Sequence, residues 1–188
     1  MTDIRFRKRV PGLGELALRP LDPQQDTALL HDWLSRDYAR FWGMQDHTPE
    51  QVAAFYREMD ACDHAEALLG LHDGRPAFLV ECYDPRHDRI GQHYPVAPGD
   101  HGMHVLVAPA ERPIRGFTWQ VFRTIMDFLF SQPEVQRVVV EPDVRNDKIH
   151  ALNRRAGFVY QRQIPLPEKT AHLAFCTRDQ YHSALIED

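Results

Sequence analysis

The 188-residue chain predicts an α/β fold containing a sheet with some parallel pairing. Two observations carry this. Segments with strand and helix patterns run in the order β-α-α-β-β-β-α-β-α-β-β. In the second half single helices follow strands, which requires crossover connections. With 43% apolar and 26% charged residues, the length suits one domain, spanning 1–188, around one substantial core.

Residues 1–12, with Arg5, Arg7, Lys8 and Arg9, are expected to form a flexible, solvated arm. Gly14 to Leu21 alternates as a half-buried strand does. Asp22-Pro23 reads as an N-cap with a first-turn proline, followed by Leu29, Leu30, Trp33 and Leu34 at helical spacing. Thr48-Pro49-Glu50-Gln51 is a capping box that opens a second helix through Val52, Phe55, Tyr56 and Met59. Ala67 to Leu71 and Ala77 to Tyr83 are strands joined at Asp73-Gly74, a hairpin signal. Residues 84–100, rich in Pro, Gly, His and Asp, form a long loop of the kind that carries function. Met103 to Val107 is a strand, Gly116 to Phe130 an apolar helix, and Arg137 to Glu141 a buried strand. Asn146 to Ala156 is a helix stopped by Gly157. Phe158 to Gln161 and Ala171 to Cys176 are the last strands.

Charge and cysteine content exclude several classes. The net charge of -5 leaves no overall basic footprint for nucleic acid. Cys62, Cys82 and Cys176 are widely spaced, odd in number and without a CxxC pair, which fits reduced thiols rather than disulfides or zinc. Met1 to Arg9 has no apolar signal region, and no stretch approaches membrane-spanning length. A soluble cytoplasmic protein without a membrane or nucleic-acid partner is expected, as a monomer or loose homodimer. His101 and His104, three apart near a strand, would face opposite sides, so no metal is expected.

Two segments suggest chemistry. Arg112, Arg115, Gly116 and Thr118 stand where a loop becomes a helix N-terminus, a place suited to phosphate. Asn146 opens, and Gly157-Phe158 closes, a helix that follows a buried strand. That second pattern resembles the GNAT acyltransferase signature. The run Glu141-Pro142-Asp143-Val144-Arg145-Asn146-Asp147-Lys148 narrows it. It is similar to the EPD-x-RN-x-K run of the acyltransferases of hydroxamate siderophore synthesis, the alcaligin, desferrioxamine and aerobactin type. Phe41-Trp42-Gly43-Met44, Gly102-Met103-His104-Val105-Leu106 and Leu166-Pro167-Glu168-Lys169-Thr170-Ala171 extend the resemblance, which covers about Leu16 to Cys176.

The resemblance implies a GNAT fold: a mixed, mostly antiparallel, twisted sheet flanked by helices. It implies acyl-CoA, as acetyl-CoA or succinyl-CoA, as co-substrate. Val105, Leu106, Val107, Arg112, Arg115, Gly116, Phe117, Thr118, Asn146, His150 and Asn153 would contact it. The acceptor would be a small N-hydroxylated amine (hydroxyputrescine, hydroxycadaverine or N6-hydroxylysine), and the product a hydroxamate used in iron acquisition. His104 and Asp143 would face the acceptor nitrogen, either one serving as proton acceptor. Phe41 and Trp42 would line the acceptor pocket, and Glu81, Asp100 or Asp84 would hold a free ammonium end. The chain departs from the family at Asn153, where a tyrosine often protonates the thiolate. It departs again at Pro113 to Thr118, where only the first glycine of the phosphate loop survives. Other amine acceptors, such as an aminoglycoside or polyamine, and a non-catalytic CoA-binding module are the alternatives.

Overall fold

The computed structural model describes residues 3–186. The chain forms two compact units. One runs to Glu81 and again over Val105–Thr124; the other covers Cys82–His104 and resumes at Ile125.

In the first unit, β1 (Phe6–Val10), β2 (Gly14–Pro20), β3 (Ala65–His72) and β4 (Arg75–Tyr83, to Glu81 in this unit) lie side by side in that order. β1 pairs antiparallel with β2, Phe6 opposite Leu18 and Val10 opposite Gly14. The expected flexible arm is therefore corrected over 6–10: these residues are an edge strand. Exposed Arg7 and Arg9 alternate with the more buried Phe6, Lys8 and Val10, a pattern that suits an edge facing water. Met1 and Thr2 of that arm lie outside the described residues. The Asp73-Gly74 turn is as expected. Both residues have positive φ, 47° and 79°, as a two-residue hairpin of type I′ requires.

Helices α1 (Thr27–Leu34) and α2 (Pro49–Asp60) follow the expected spacing. The start of α1 differs. Asp22 accepts from the amides of Gln24 and Gln25 in a turn of its own, and the helix begins after Asp26. Asp26 is buried, bridged to Arg19 by two bonds of 2.7 Å, and accepts from the Asp22 amide at 2.8 Å. Thr48 and Gln51 close the capping box as read. Leu30, Trp33, Leu34, Val52 and Tyr56 bury their helix faces against Leu69, Leu79 and Leu106. Each such side chain contributes about 1.5–3 kcal/mol.

Three elements pass from one unit into the other along the chain: β4, β5 (Asp100–Val107) and α3 (Phe117–Ser131). In the second unit the sheet is mixed. β5 runs parallel to β6 (Arg137–Val140), β8 (Thr170–Thr177) is antiparallel to β6, and β7 (Val159–Pro165) is antiparallel to β8. The β5–β6 ladder covers Asp100 to Gly102 against Arg137 to Val139 and goes no further. The chain beyond β6 stays with β8: His172 donates to the Pro142 carbonyl at 2.9 Å and Val144 to the Thr170 carbonyl at 3.0 Å. β5 and the extension of β6 thus part at the level of His104 and Glu141.

α4 (Asp147–Arg155) is capped by Asn146, whose side chain accepts from the Ile149 amide, and stops before Gly157 at φ 92°. A last helix, α5 (Arg178–Ile186), has no apolar periodicity to announce it, because its sequence is polar and buries only Tyr181. Its signature is Thr177-Arg178-Asp179-Gln180, in which Thr177 and Gln180 cap each other's amides. Cys62, Cys82 and Cys176 are free thiols, and burial pushes Cys176 up to about 12.

Gly102 is required by a close approach: a Cβ there would lie 2.1 Å from the Tyr83 ring. Gly102→Ala is expected to cost about 1–3 kcal/mol. In a thermal melt the midpoint should fall by roughly 2–10 °C.

Candidate active site

The chemistry-bearing groups of the second unit converge on Glu141, the residue that follows β6. Asp100, Gly102 and His104 share one face of β5 by strand alternation. Because Gly102 has no side chain, the Tyr83 ring lies across that face, its centroid 5.0 Å from the His104 ring. The Tyr83 hydroxyl donates to Glu141 Oε2 at 3.2 Å, and His104 Nε2 lies 2.8 Å from Glu141 Oε1. Lys169, where β7 turns into β8, places Nζ 3.7 Å from the same Oε1.

Glu141 is 4% exposed. Burial works against its charge, but His104, Lys169 and the Tyr83 hydroxyl outweigh this and hold its carboxyl at about 2. Burial and the neighbouring carboxylate push the Tyr83 phenol well up, so Tyr83 remains a donor. An ionised carboxylate only accepts, so Nε2 of His104 carries the proton of this bond, and a neutral imidazole has its lone pair on Nδ1. This is the relation of a buried acid to a histidine that orients the ring and stabilises its protonated form.

Asp143, expected beside His104, is engaged elsewhere. Its carboxylate accepts from Arg145 Nε, Nη2 and backbone amide at 2.9, 2.7 and 2.9 Å. Those bonds hold it at about 2. Its carbonyl accepts from His150 Nε2 at 2.9 Å. With Nε2 donating, His150 Nδ1 accepts from the Tyr160 hydroxyl at 2.7 Å, and Tyr160 accepts from Asn153 Nδ2 at 3.1 Å. His150 and Asn153, expected on the cofactor, are thus buried and tied into a chain that fixes the turn from β6 to α4. Asn153 Oδ1 is buried and has no hydrogen bond among the described residues. A tyrosine hydroxyl, from Tyr160, therefore does stand beside position 153.

Asp100, expected on the acceptor, is buried and accepts from Arg137 Nε and Nη2, each at 2.7 Å, and from the Ala97 amide. Its oxygens are consumed in anchoring β5 to β6. Asp84 is likewise occupied by Arg86.

The first unit holds the other expected residues. Arg112, Arg115 and Thr118 are exposed or nearly so, and Phe117 is half-buried. Gly116 has φ 77°, and a side chain there would meet open space, so the loop can enter α3 sharply. Leu106 is buried, while Val105 and Val107 are half-buried. Glu81 is buried and accepts from the Tyr56 hydroxyl at 2.9 Å. Trp42 packs on the core and hydrogen-bonds Tyr56, and Arg40 lies 4.7 Å over the Phe41 ring.

Sequence reading misses the roles of Tyr83, Glu141, Tyr160 and Lys169 in this arrangement, although Glu141 and Lys169 stand inside the runs that carry the resemblance.

The charge state of Glu141 has a measurable consequence. A carboxyl depressed in the folded state contributes stability that is complete above its unfolded value and is lost as pH falls through about 2. Glu141→Gln should therefore flatten the loss of stability between about pH 5 and pH 2 in chemical denaturation, relative to the parent chain. An unchanged pH dependence would show that Glu141 carries no such charge.

Comparison with known proteins agrees with this architecture. Residues 22–166 match the family described as Acetyltransferase (GNAT) domain. The N(6)-hydroxylysine O-acetyltransferase of Escherichia coli is 27% identical over 168 residues, 88% of this chain and 53% of that protein. The chain thus spans about half the length of that relative. The N-hydroxyputrescine acetyltransferase of Acinetobacter baumannii is 29% identical over 88% of this chain and 79% of its own. Among solved structures, aminoglycoside acetyltransferase AAC(6')-Ib in complex with coenzyme A superposes with a TM-score of 0.78 at 23% identity, covering 89% of this chain and 98% of that one. At that identity it speaks for the fold alone. The α/β fold, the helix opened by Asn146 and closed at Gly157, and the family match over most of the chain place this protein in the GNAT acetyltransferase family.

Proposed function

We propose that the chain is an acyl-CoA-dependent N-acyltransferase that acylates the hydroxylamine nitrogen of a small N-hydroxylated amine. The acceptor is hydroxyputrescine, hydroxycadaverine or N6-hydroxylysine, the acyl group acetyl or succinyl, and the product a hydroxamate for siderophore synthesis. The observation that carries the reading is the His104–Glu141 pair at 2.8 Å, placed where β5 and the extension of β6 diverge. The names of the two relatives that act on hydroxylated amines support the acceptor class.

A hydroxylamine is less basic than a simple amine, so more of it is neutral near pH 7 and only a modest base is needed. An imidazole titrates in that range. His104, oriented by Glu141, takes the proton from the acceptor nitrogen as that nitrogen attacks the thioester carbonyl. The C–N bond forms and the C–S bond breaks. CoA leaves as a thiolate, and the imidazolium returns the proton to it directly or through water. Glu141 stabilises the imidazolium in between. Asp143, gripped by Arg145, holds the β6–α4 turn rather than the moving proton. The CoA phosphates are assigned to Arg112, Arg115 and the α3 N-terminus.

The test is thiol release from acetyl-CoA and succinyl-CoA with each hydroxylated amine, with the unhydroxylated amines and an aminoglycoside as controls. One hydroxylated amine should be strongly preferred, and His104→Ala should lower kcat/KM for it by about 10²–10⁴-fold. Preference for the aminoglycoside, or CoA binding without turnover, would sink the reading. Arg115→Ala should raise KM for acyl-CoA about 3- to 10-fold with kcat little changed, and the effect should shrink as salt rises.

A further inference from the structure

Lys169 is held in place by a tightly fastened turn, and its ammonium acts on the neighbouring carboxylates through its charge alone. Leu166 and Lys169 exchange backbone hydrogen bonds at 2.8 and 3.3 Å across Pro167 and Glu168. Leu166 is buried. Glu168 is fastened to Arg89 of the 84–100 loop by a paired ion bridge, one bond of which is 2.6 Å. The backbone that carries Lys169 is therefore gripped on both sides.

The Lys169 side chain is 14% exposed, and its ion-pair partner among the described residues is Glu141, with Oε1 at 3.7 Å. That separation is too long for a hydrogen bond. Among the described residues the ammonium makes none, though it has N–H groups to donate. Glu141 does not need it as a hydrogen-bond donor, since His104 and Tyr83 already occupy one carboxylate oxygen each. An ammonium at the edge of a buried carboxylate, with N–H groups left to donate, is placed to take an oxygen acceptor from a molecule that enters beside it.

The position narrows the choice. Lys169 and His104 both address Oε1 of Glu141. Sharing that oxygen keeps the ammonium within a few ångströms of the imidazole, so the acceptor oxygen best placed to meet it is one close to the nitrogen that His104 serves. In an N-hydroxylated amine the hydroxyl oxygen is one bond from the nucleophilic nitrogen, and a plain amine has no such oxygen. The distal carboxylate of a succinyl group is several bonds further away.

We propose that Lys169 recognises the N-hydroxyl oxygen of the acceptor and so selects hydroxylamines over amines. This rests on the acyltransfer reading above and assigns its acceptor specificity to one residue.

The experiment compares kcat/KM for N-hydroxycadaverine and cadaverine, and for N-hydroxyputrescine and putrescine, in the parent chain, Lys169→Met and Lys169→Gln, with acetyl-CoA and again with succinyl-CoA. Where a plain diamine turns over too slowly, its inhibition constant against the hydroxylated partner replaces its rate. Thermal midpoints and KM for acyl-CoA confirm that the variants remain folded and bind the cofactor. The ratio of hydroxylated to plain acceptor should fall about 10- to 100-fold in Lys169→Met, the loss of a hydrogen bond from a charged donor. Lys169→Gln, which keeps a donor without the charge, should fall less. Three results would overturn the proposal. One is an unchanged ratio in both variants. Another is an equal loss for both acceptors with a displaced pH profile, which makes Lys169 a tuner of the Glu141–His104 pair. The third is a change confined to the choice between acetyl and succinyl. A parent chain that shows no preference for hydroxylated acceptors removes the acyltransfer reading and this inference together. A parent preference that survives in both variants removes only the role of Lys169.

Discussion

The carboxylate of Glu141 is taken out of water with its charge intact, and the second unit is arranged to make that tolerable. A buried carboxylate on its own would take up a proton rather than bear the desolvation. Here His104 and Tyr83 each supply a hydrogen bond and Lys169 a nearby positive charge, and together they keep the acid ionised at about 2. Each of these three partners comes from a different element: β4, β5 and the turn into β8. The charge can persist only if those elements are held in register. The pair it forms with His104 is thus a product of the sheet and not of one local motif.

Much of the surrounding structure serves that register. Asp100 and Arg137 lock the start of β5 to β6 through two bonds of 2.7 Å, just before the two strands part. Gly102 leaves room for the Tyr83 ring. The chain from Asn153 through Tyr160 and His150 to the Asp143 carbonyl fixes the turn after Glu141, and Arg145 fixes the Asp143 carboxylate. Several residues with functional side-chain types are thereby committed to structure. In a low-dielectric interior, polar groups must satisfy one another before they can serve a ligand.

Elements announced by short-range chemistry are legible in the sequence. The Thr48–Gln51 capping box, the Asp73-Gly74 turn, the Asn146 cap and the Gly157 stop each depend on a few neighbouring residues and reappear as read. β1 is hidden, because an edge strand needs apolar residues on one face only, and its charges read as a solvated arm. α5 is hidden because it buries one side chain and is set by a cap at Thr177 with no apolar helix face behind it, unlike the cap at Thr48. The start of α1 falls after Asp26 rather than Asp22, since the two acids look alike in sequence and only the bridge from Arg19 distinguishes them.

Residue type and short spacing are enough for the α/β class, the family resemblance, the helix ends and His104 as a residue of interest. They do not say which acid His104 meets; that is set by the folded sheet. Asp143 and Glu141 are two apart in one run, but the strand ends between them: Glu141 turns toward β5 while Asp143 is caught by Arg145. The partners of Glu141 lie 37, 58 and 28 positions away in the chain, at His104, Tyr83 and Lys169. No local pattern encodes such separations, because the pairing of strands, and not the order of residues, brings these charges to one point.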